Sequence, residues 1–274
     1  MQQNIKSVIS GESFILNHSV IEACTPEDFP PHFHEAWEML FFLRGDVTYN
    51  VHGKSYRLRR GDLIISRPTV LHRIEPSGKE KYERINVIFD AGMIPEGVLS
   101  RVPDGVDVFS FGGGGRVADI FERIGEYKES FSGEELSLLV GNMLVEVMYN
   151  LAISDGFAMG QTVTNPLIAE ALSYIDEHLT TIRGVDEICE HLYITKSHLH
   201  HLFTSHLAVT PKRYINSKRL LLAQRMIRQG ARATKVATAV GYSDYTTFFR
   251  GYKNYFDYPP SEENARVSLD AIVG

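Results

Sequence analysis

The sequence predicts an α+β chain. An N-terminal β-barrel or sandwich is followed by two helices, and then by an all-α C-terminal part of two helix-turn-helix units joined by a long helix. Three observations carry this expectation. The first hundred residues hold many short apolar runs punctuated by Gly and Pro. Near residue 117 the hydrophobic period changes from strand-like to helical. Two patterns in matching register, Val185–His206 and Thr234–Tyr255, each read as short helix, tight break, second helix.

The strands come first. Val8–Ile21 alternates in part, Met39–Leu43 and Thr48–Val51 are separated by Gly45-Asp46, and Tyr49–Tyr56 reads as a hairpin turning near His52-Gly53. Leu63–Ser66 is entered through Gly61-Asp62, and Tyr82–Phe89 alternates. Short strands at this density suit a small barrel or a sandwich. The Gly112–Gly115 run reads as a loop, because no Lys-Ser/Thr follows it as a phosphate cradle requires.

Two amphipathic helices follow. Val117–Phe131 aligns Ile120, Phe121, Ile124 and Tyr127, and Leu136–Leu151 aligns Leu136, Leu139, Val140, Met143, Leu144, Val147 and Met148. Such stripes cover either the chain's own core or a dimer interface. Ser154–Thr164 has no period and holds the expected linker. Asn165-Pro166 is an N-cap with proline at the first helical position. The next helix turns Leu167, Ala171, Leu172 and Ile175 inward.

In the first helix-turn-helix unit Val185, Ile188 and Leu192 face inward, Thr195 caps the second helix, and Leu199, Leu202 and Phe203 form its core face. Lys196, Ser197, His200, His201 and Thr204 are left outward. In the second unit Val236, Ala237 and Val240 face inward, Gly241 supplies a positive φ, and Ser243 or Asp244 caps the next helix. Phe248, Tyr252 and Tyr255 face its core, leaving Tyr245, Thr246, Phe249, Arg250 and Lys253 outward. The connector, Pro211 to about Gln229, spans roughly 28 Å at 1.5 Å per residue. Major-groove faces on one side of a duplex recur about every 34 Å, so this rod could serve two adjacent groove segments of double-stranded DNA.

Charge distribution agrees. The net charge of −6 opposes nucleic-acid binding, but Thr180–Tyr258 holds 12 Lys and Arg against 5 Asp and Glu, and residues 1–179 hold 15 against 26. Hydrophobic residues at 43% permit a real core. Two cysteines, Cys24 and Cys189, give neither a disulfide framework nor a paired-thiolate zinc site and suit a reducing cytoplasm. No basic-plus-apolar leader is evident, and no run approaches the roughly 18 apolar residues of a membrane span.

The stretches HLYITKSHLHHLF, TPKRYINSKRLLLAQRMI and VATAVGYSDYTTFFRGYKNYFDYPPSE resemble the AraC-type transcription regulators over about residues 165–262. In that family outward residues of the second helix of each unit read bases. The resemblance places Ser197, His200, His201, Tyr245, Thr246, Phe249 and Arg250 in that role, with Lys196, Thr204 and Lys253 beside them. Arg250 suits either a bidentate guanine contact or a phosphate clamp. His200 and His201 are either DNA contacts or ordinary surface histidines. Ala208 and Asp257 stand where the family usually has glycine, Gly251 where a larger apolar residue is common, and Glu263-Asn264 where Tyr-Arg is usual.

A second group of residues is His32, His34, Glu38 and His72. Strand parity would put His32, His34 and Glu38 on one side, with His72 on a later strand. Three imidazoles and a carboxylate can bind zinc, nickel, manganese or iron. The order resembles the cupin barrel, except that Thr69 stands where glycine is usual. Such a barrel holds either a catalytic metal or, in regulators, a small effector. Trp37, Tyr49, Arg44 and Arg67 could add stacking and polar contacts to a sugar-like effector, or be plain packing and surface.

The combined expectation is a cytoplasmic, non-enzymatic transcription regulator. A cupin-like effector-binding and dimerisation domain spans residues 1–157, a linker 158–164 and a double helix-turn-helix DNA-binding domain 165–274. Partners would be double-stranded DNA, a small-molecule effector, a second copy in a homodimer and, by the resemblance, RNA polymerase. No cofactor is required beyond a divalent metal in the barrel, whose occupancy the sequence leaves open, as it does the direction of the transcriptional effect. The competing expectation is a metal-dependent cupin enzyme with a degenerate DNA module.

Overall fold

A computed structural model describes residues 3–11, 13–77, 80–111, 114–154 and 165–265, with backbone only at 3–7 and 265. They fall into two compact units, the first formed chiefly by nine strands and three helices, the second chiefly by six helices. The expected linker 158–164 lies outside the described residues.

In the first unit the strands are β1 (Gln3–Ser10), β2 (Phe14–Ile21), β3 (Trp37–Arg44), β4 (Val47–Val51), β5 (Lys54–Arg57), β6 (Asp62–Ser66), β7 (His72–Pro76), β8 (Tyr82–Phe89) and β9 (Val108–Ser110). Its helices are α1 (Glu96–Leu99), α2 (Arg116–Ser130) and α3 (Gly133–Ala152). Six strands pair in the order β1-β2-β8-β3-β6-β9 and three in the order β5-β4-β7. All pairs are antiparallel. The run expected over Val8–Ile21 is part of a hairpin of β1 and β2, closed by Gly11 N donating to Phe14 O at 2.9 Å. The β4–β5 turn has φ 49° at His52 and 80° at Gly53. Positive φ at both central residues is the turn geometry that matches strand twist.

Side chains alternate across the six-stranded sheet. Leu16, Met39, Phe41, Leu63, Ile65, Ile85, Val87 and Phe89 occupy one face and share a core with α2 and α3. The aromatic contact at its centre is Phe41 on Phe121, 4.5 Å apart and 6° from parallel. The helical stripes therefore cover the chain's own core, through Ile120, Phe121 and Ile124 of α2 and Val140, Leu144, Val147 and Met148 of α3. On the other side of α3 Leu138 is 68%, Tyr149 45% and Ile153 62% exposed. The opposite sheet face meets the three-stranded sheet, where Tyr49 Oη and Ser66 Oγ are 2.7 Å apart.

The second unit holds α4 (Pro166–His178), α5 (Val185–Leu192), α6 (Lys196–Leu207), α7 (Pro211–Arg228), α8 (Ala233–Ala239) and α9 (Tyr245–Phe256). The expected caps form. Asn165 accepts from Leu167 N at 3.0 Å, Thr195 from His198 N at 3.2 Å and Asp244 from Thr247 N at 2.7 Å. Thr210 caps α7, accepting from Arg213 N. The first half of α7 belongs to a core with α4, α5 and α6, and the second half to a core with α8 and α9. One helix thus completes both helix-turn-helix units.

Arg219 fastens this arrangement. Its guanidinium donates to Leu179 O at 2.8 Å, Ile182 O at 2.5 Å and Gly241 O at 2.9 Å. Carbonyls past the end of α4 are joined to the turn of the second unit through a charge on α7. Gly241 has φ +95°, and a Cβ there would lie 2.6 Å from Thr180 O and 2.7 Å from Arg219 Cζ. Both the backbone conformation and the close approach require glycine.

Candidate functional sites

In the first unit, the side of the six-stranded sheet facing the three-stranded sheet is polar. Glu38, Ser66 and His72 are buried, and Glu38 and His72 are joined at 2.9 Å. His32 and His34 approach them from the segment entering β3, so that one ligand atom from each of the four residues lies within 4.8 Å of the others. The expected strand over these residues does not form. The chain is irregular from Phe33 to Ala36, and β3 begins only at Trp37. Convergence comes instead from the loop. Thr69 N donates to His34 O at 2.8 Å, tying the segments that lead into β3 and β7. Three imidazole nitrogens and a carboxylate at this spacing suit a divalent cation.

The expected aromatic and cationic partners divide. Tyr49 faces the interior, with its ring 6.2 Å from His72, and burial pushes its phenol pKa well up, so it remains a neutral donor. Trp37 does not face the interior. It precedes Glu38 on β3 and therefore points to the helical side, where it stacks on Phe89 at 6.4 Å. Arg67 is spent on the loop before β9, donating to Pro103 O at 2.7 Å and Val106 O at 2.9 Å. Arg44 is exposed at the end of β3.

Two interior residues were not anticipated. Arg84 and Asn86 share a face with Glu38, through the register Phe42↔Arg84, Leu40↔Asn86 and Glu38↔Ile88. Arg84 donates to Tyr82 Oη at 3.3 Å and lies over the rings of Phe29 and Tyr82 at 5.4 and 5.3 Å. Among the described residues no carboxylate makes an ion pair with it. Its Nε and the Asn86 Oδ1 are buried without a hydrogen-bond partner. Buried polar atoms in this condition are rare, and a bound polar molecule is one way to satisfy them. The signal was present in Tyr-Glu-Arg-Ile-Asn-Val-Ile-Phe, where polar residues at every second position read as a wet face.

In the second unit Lys196, Ser197, His200 and His201 are exposed on α6, and Tyr245, Thr246, Arg250 and Lys253 on α9. Thr204 is half-buried, and its hydroxyl donates back to His200 O at 2.8 Å. Phe249 is half-buried, its ring 6.1 Å from Tyr245. Lys196 is held by Asp186 at 2.6 Å, which raises its pKa.

Two domain families match. The AraC-like ligand binding domain covers residues 16–124, and the helix-turn-helix domain HTH_18 covers 188–266. The chain belongs to the AraC-type regulators. It is 23% identical over 244 residues to the lactose operon transcription activator of Staphylococcus xylosus, covering 83% of each chain. It is 22% identical over 260 residues to the HTH-type transcriptional activator RhaS of Salmonella schwarzengrund, covering 89% of this chain and 90% of that one. The raffinose operon transcriptional regulatory protein RafR of Pediococcus pentosaceus is 32% identical over 100 residues, 36% of each chain. All three relatives are named as regulators of transcription. Among the described residues no helix is long and apolar enough to cross a membrane.

Against the AraC-type pattern, the substituted glycines keep a glycine-like backbone. Ala208 ends α6 at φ 54° and Asp257 ends α9 at φ 63°; Thr69, the departure from the cupin pattern, has φ 63° as well. A β-branched residue in this region is strained. Glu263, where this regulator departs from the usual Tyr-Arg, is fully buried. It accepts from Arg228 Nε at 2.6 Å and from the Tyr252 hydroxyl. The departure thus fixes the chain after α9 to α7.

Proposed function

We propose that this AraC-type regulator activates transcription in the cytoplasm by binding double-stranded DNA through the exposed sides of α6 and α9, under control of a small polar effector held between the two sheets of the first unit. The carrying observation is the buried, unsatisfied Arg84 Nε and Asn86 Oδ1 beside the Glu38–His72 pair. A polyhydroxylated molecule such as a sugar offers both the acceptor that Arg84 needs and the donor that Asn86 needs. Relatives named for lactose and raffinose operons support the sugar class. Activation follows the names of the lactose operon and RhaS relatives, both called transcription activators. The effector would contact Arg84, Asn86, Tyr49, Glu38, His34 and His72, and His32, His34, Glu38 and His72 would hold a divalent metal. Such an ion would polarise an effector hydroxyl. Residues 1–157 serve sensing and dimerisation, and 165–274 DNA binding. The exposed Leu138, Tyr149 and Ile153 supply an apolar surface for a homodimer.

On the DNA side Lys196, Ser197, His200, His201, Tyr245, Thr246, Phe249, Arg250 and Lys253 make the contacts. Thr204, whose hydroxyl is committed to its own helix, contributes shape. At 18 residues α7 spans about 27 Å, near the groove repeat. RNA polymerase is the downstream partner.

Fluorescence anisotropy with fragments of the adjacent promoter tests the first claim. Specific binding should exceed binding to random duplex by at least about a thousandfold at fixed salt. Equal binding to both, across a range of salt, would end the proposal. Arg84→Gln should remove the sugar response while leaving basal DNA affinity intact. Metal analysis before and after chelation checks the ligand set, with stoichiometric metal expected in the untreated wild type, loss on chelation, and none in His34→Ala.

A further inference from the structure

The second helices of the two helix-turn-helix units carry different kinds of charge. α6 and α9 each have 12 residues. Counted from their first residues, their inward positions agree: Leu199 answers to Phe248 and Phe203 to Tyr252, all fully buried. By the same count Ser197 answers to Thr246, His201 to Arg250 and Thr204 to Lys253 on the outward side. Both outward cations of α9 are thus missing from α6, and an imidazole stands in the place of the guanidinium.

The other charges on and around α6 sharpen the contrast. Its one lysine, Lys196, is bound to Asp186 at 2.6 Å, and the helix has no acidic residue. It holds four histidines; His198, His200 and His201 are exposed, and His206 is half-buried. α6 packs against α4, α5 and α7. On α4, Glu170 lies 3.6 Å from His191, Asp176 holds Lys218 and Glu177 accepts from Ser173. His178 and His191 both stack on Tyr174. On α5, Glu187 holds Arg183 and Glu190 is exposed. The start of α7 exposes Lys212 and Arg213, and that helix has no carboxylate. Among the described residues no carboxylate makes an ion pair with His198, His200 or His201.

We propose that DNA binding by α6 is proton-linked. The proposal rests on the reading above that α6 meets DNA. His201, flanked by His200 and His198, supplies the phosphate-facing charge of this helix only when protonated. Imidazole is the side chain whose charge ordinarily changes between about pH 5 and 8. A phosphate against it favours the charged form, so the complex takes up protons and tightens as pH falls. Guanidinium and ammonium groups such as those on α9 are charged already and need no proton. The regulator therefore holds its site chiefly through one unit at the higher pH and through both at the lower.

Fluorescence anisotropy of the full chain on the promoter fragment, without effector and at fixed salt, tests this at about pH 8 and about pH 6. One proton taken up changes affinity by at most about tenfold per pH unit. The wild type should bind at least about tenfold tighter at the lower pH, with a salt slope steeper by about 0.9 for each phosphate gained. The triple variant His198→Asn, His200→Asn, His201→Asn should bind about equally at both values. His201→Arg should tighten binding at the higher pH and narrow the gap. Arg250→Gln should weaken binding at both values and leave the gap intact. Specific binding of equal strength at both values, a gap that persists in the triple variant with wild-type circular dichroism, or weaker binding by His201→Arg at the higher pH would each overturn the proposal. Promoter binding no tighter than to random duplex at either value would overturn it together with the DNA reading, a distinct failure.

Discussion

Gly241→Ala is expected to loosen the second unit by about 3 kcal/mol. An L-residue at φ +95° carries a backbone penalty of about 1 to 2 kcal/mol. The new methyl would sit 2.6 Å from Thr180 O and 2.7 Å from Arg219 Cζ, about 1 Å inside ordinary contact. Thr180 O is backbone, and the guanidinium is held by three carbonyls, so neither neighbour can swing away cheaply. Overpacking of this kind costs about 1 to 3 kcal/mol. Relief would pull Gly241 O from Arg219 and leave part of a charged hydrogen-bond set unmade. Urea unfolding followed by far-UV circular dichroism measures the loss. The single tryptophan, Trp37, lies in the first unit, so its fluorescence should report an unchanged transition there. Arg219→Met should cost a similar amount, and the double variant clearly less than the sum, because both substitutions break one fastening. A loss below about 1 kcal/mol for Gly241→Ala, or strict additivity, would refute the reasoning.

Four further outcomes are expected. Ala208→Gly should stabilise by about 0.5 kcal/mol, since relief of a positive φ is partly offset by a looser unfolded chain, and Gly251→Ala by about 1 kcal/mol, its methyl approaching nothing nearer than Tyr242 Oη at 3.7 Å and Leu220 at 3.9 Å; both are read from urea midpoints. Glu263→Ala should cost about 3 kcal/mol by the same measurement, because Arg228 and the Tyr252 hydroxyl lose a buried partner together. Hydrogen bonds from Thr247 hold the Asp244 carboxyl below its ordinary value of 3.8. Its contribution is therefore complete above that value and lost as pH falls through the lower folded value. An acid titration of helical signal should show this loss in the wild type, and Asp244→Asn should flatten it.

Much of the second unit was legible because its signals are local. Asn165, Thr195 and Asp244 each cap the helix that follows within three residues, and Gly241 announces its own φ. The inward stripes of α6 and α9 follow from one period. The first unit was harder because its strands are covered on both sides. A polar residue at every second position normally marks water, and β8 places Arg84 and Asn86 in the interior instead. The same two-sided burial misplaced Trp37, whose parity matters only once the covered faces are known. His32 and His34 converge with Glu38 and His72 through an irregular segment that no strand period describes. Strand β9 has three residues, too few to alternate visibly, and Arg67 could be understood only through the loop beside it. Glu263 looked like a lapse from a pattern, and its buried partners on α7 and α9 lie far from it in sequence.

Because α7 is a wall of two cores at once, its length cannot drift. One inserted residue would turn everything after it by about 100° and advance it by 1.5 Å. The side chains that Arg219 brings to Gly241 would then face the wrong way, and so would α9. On the proposed reading, recognition can evolve letter by letter on the exposed sides of α6 and α9, while the interval between the two words is set once, by a helix that tolerates no edit.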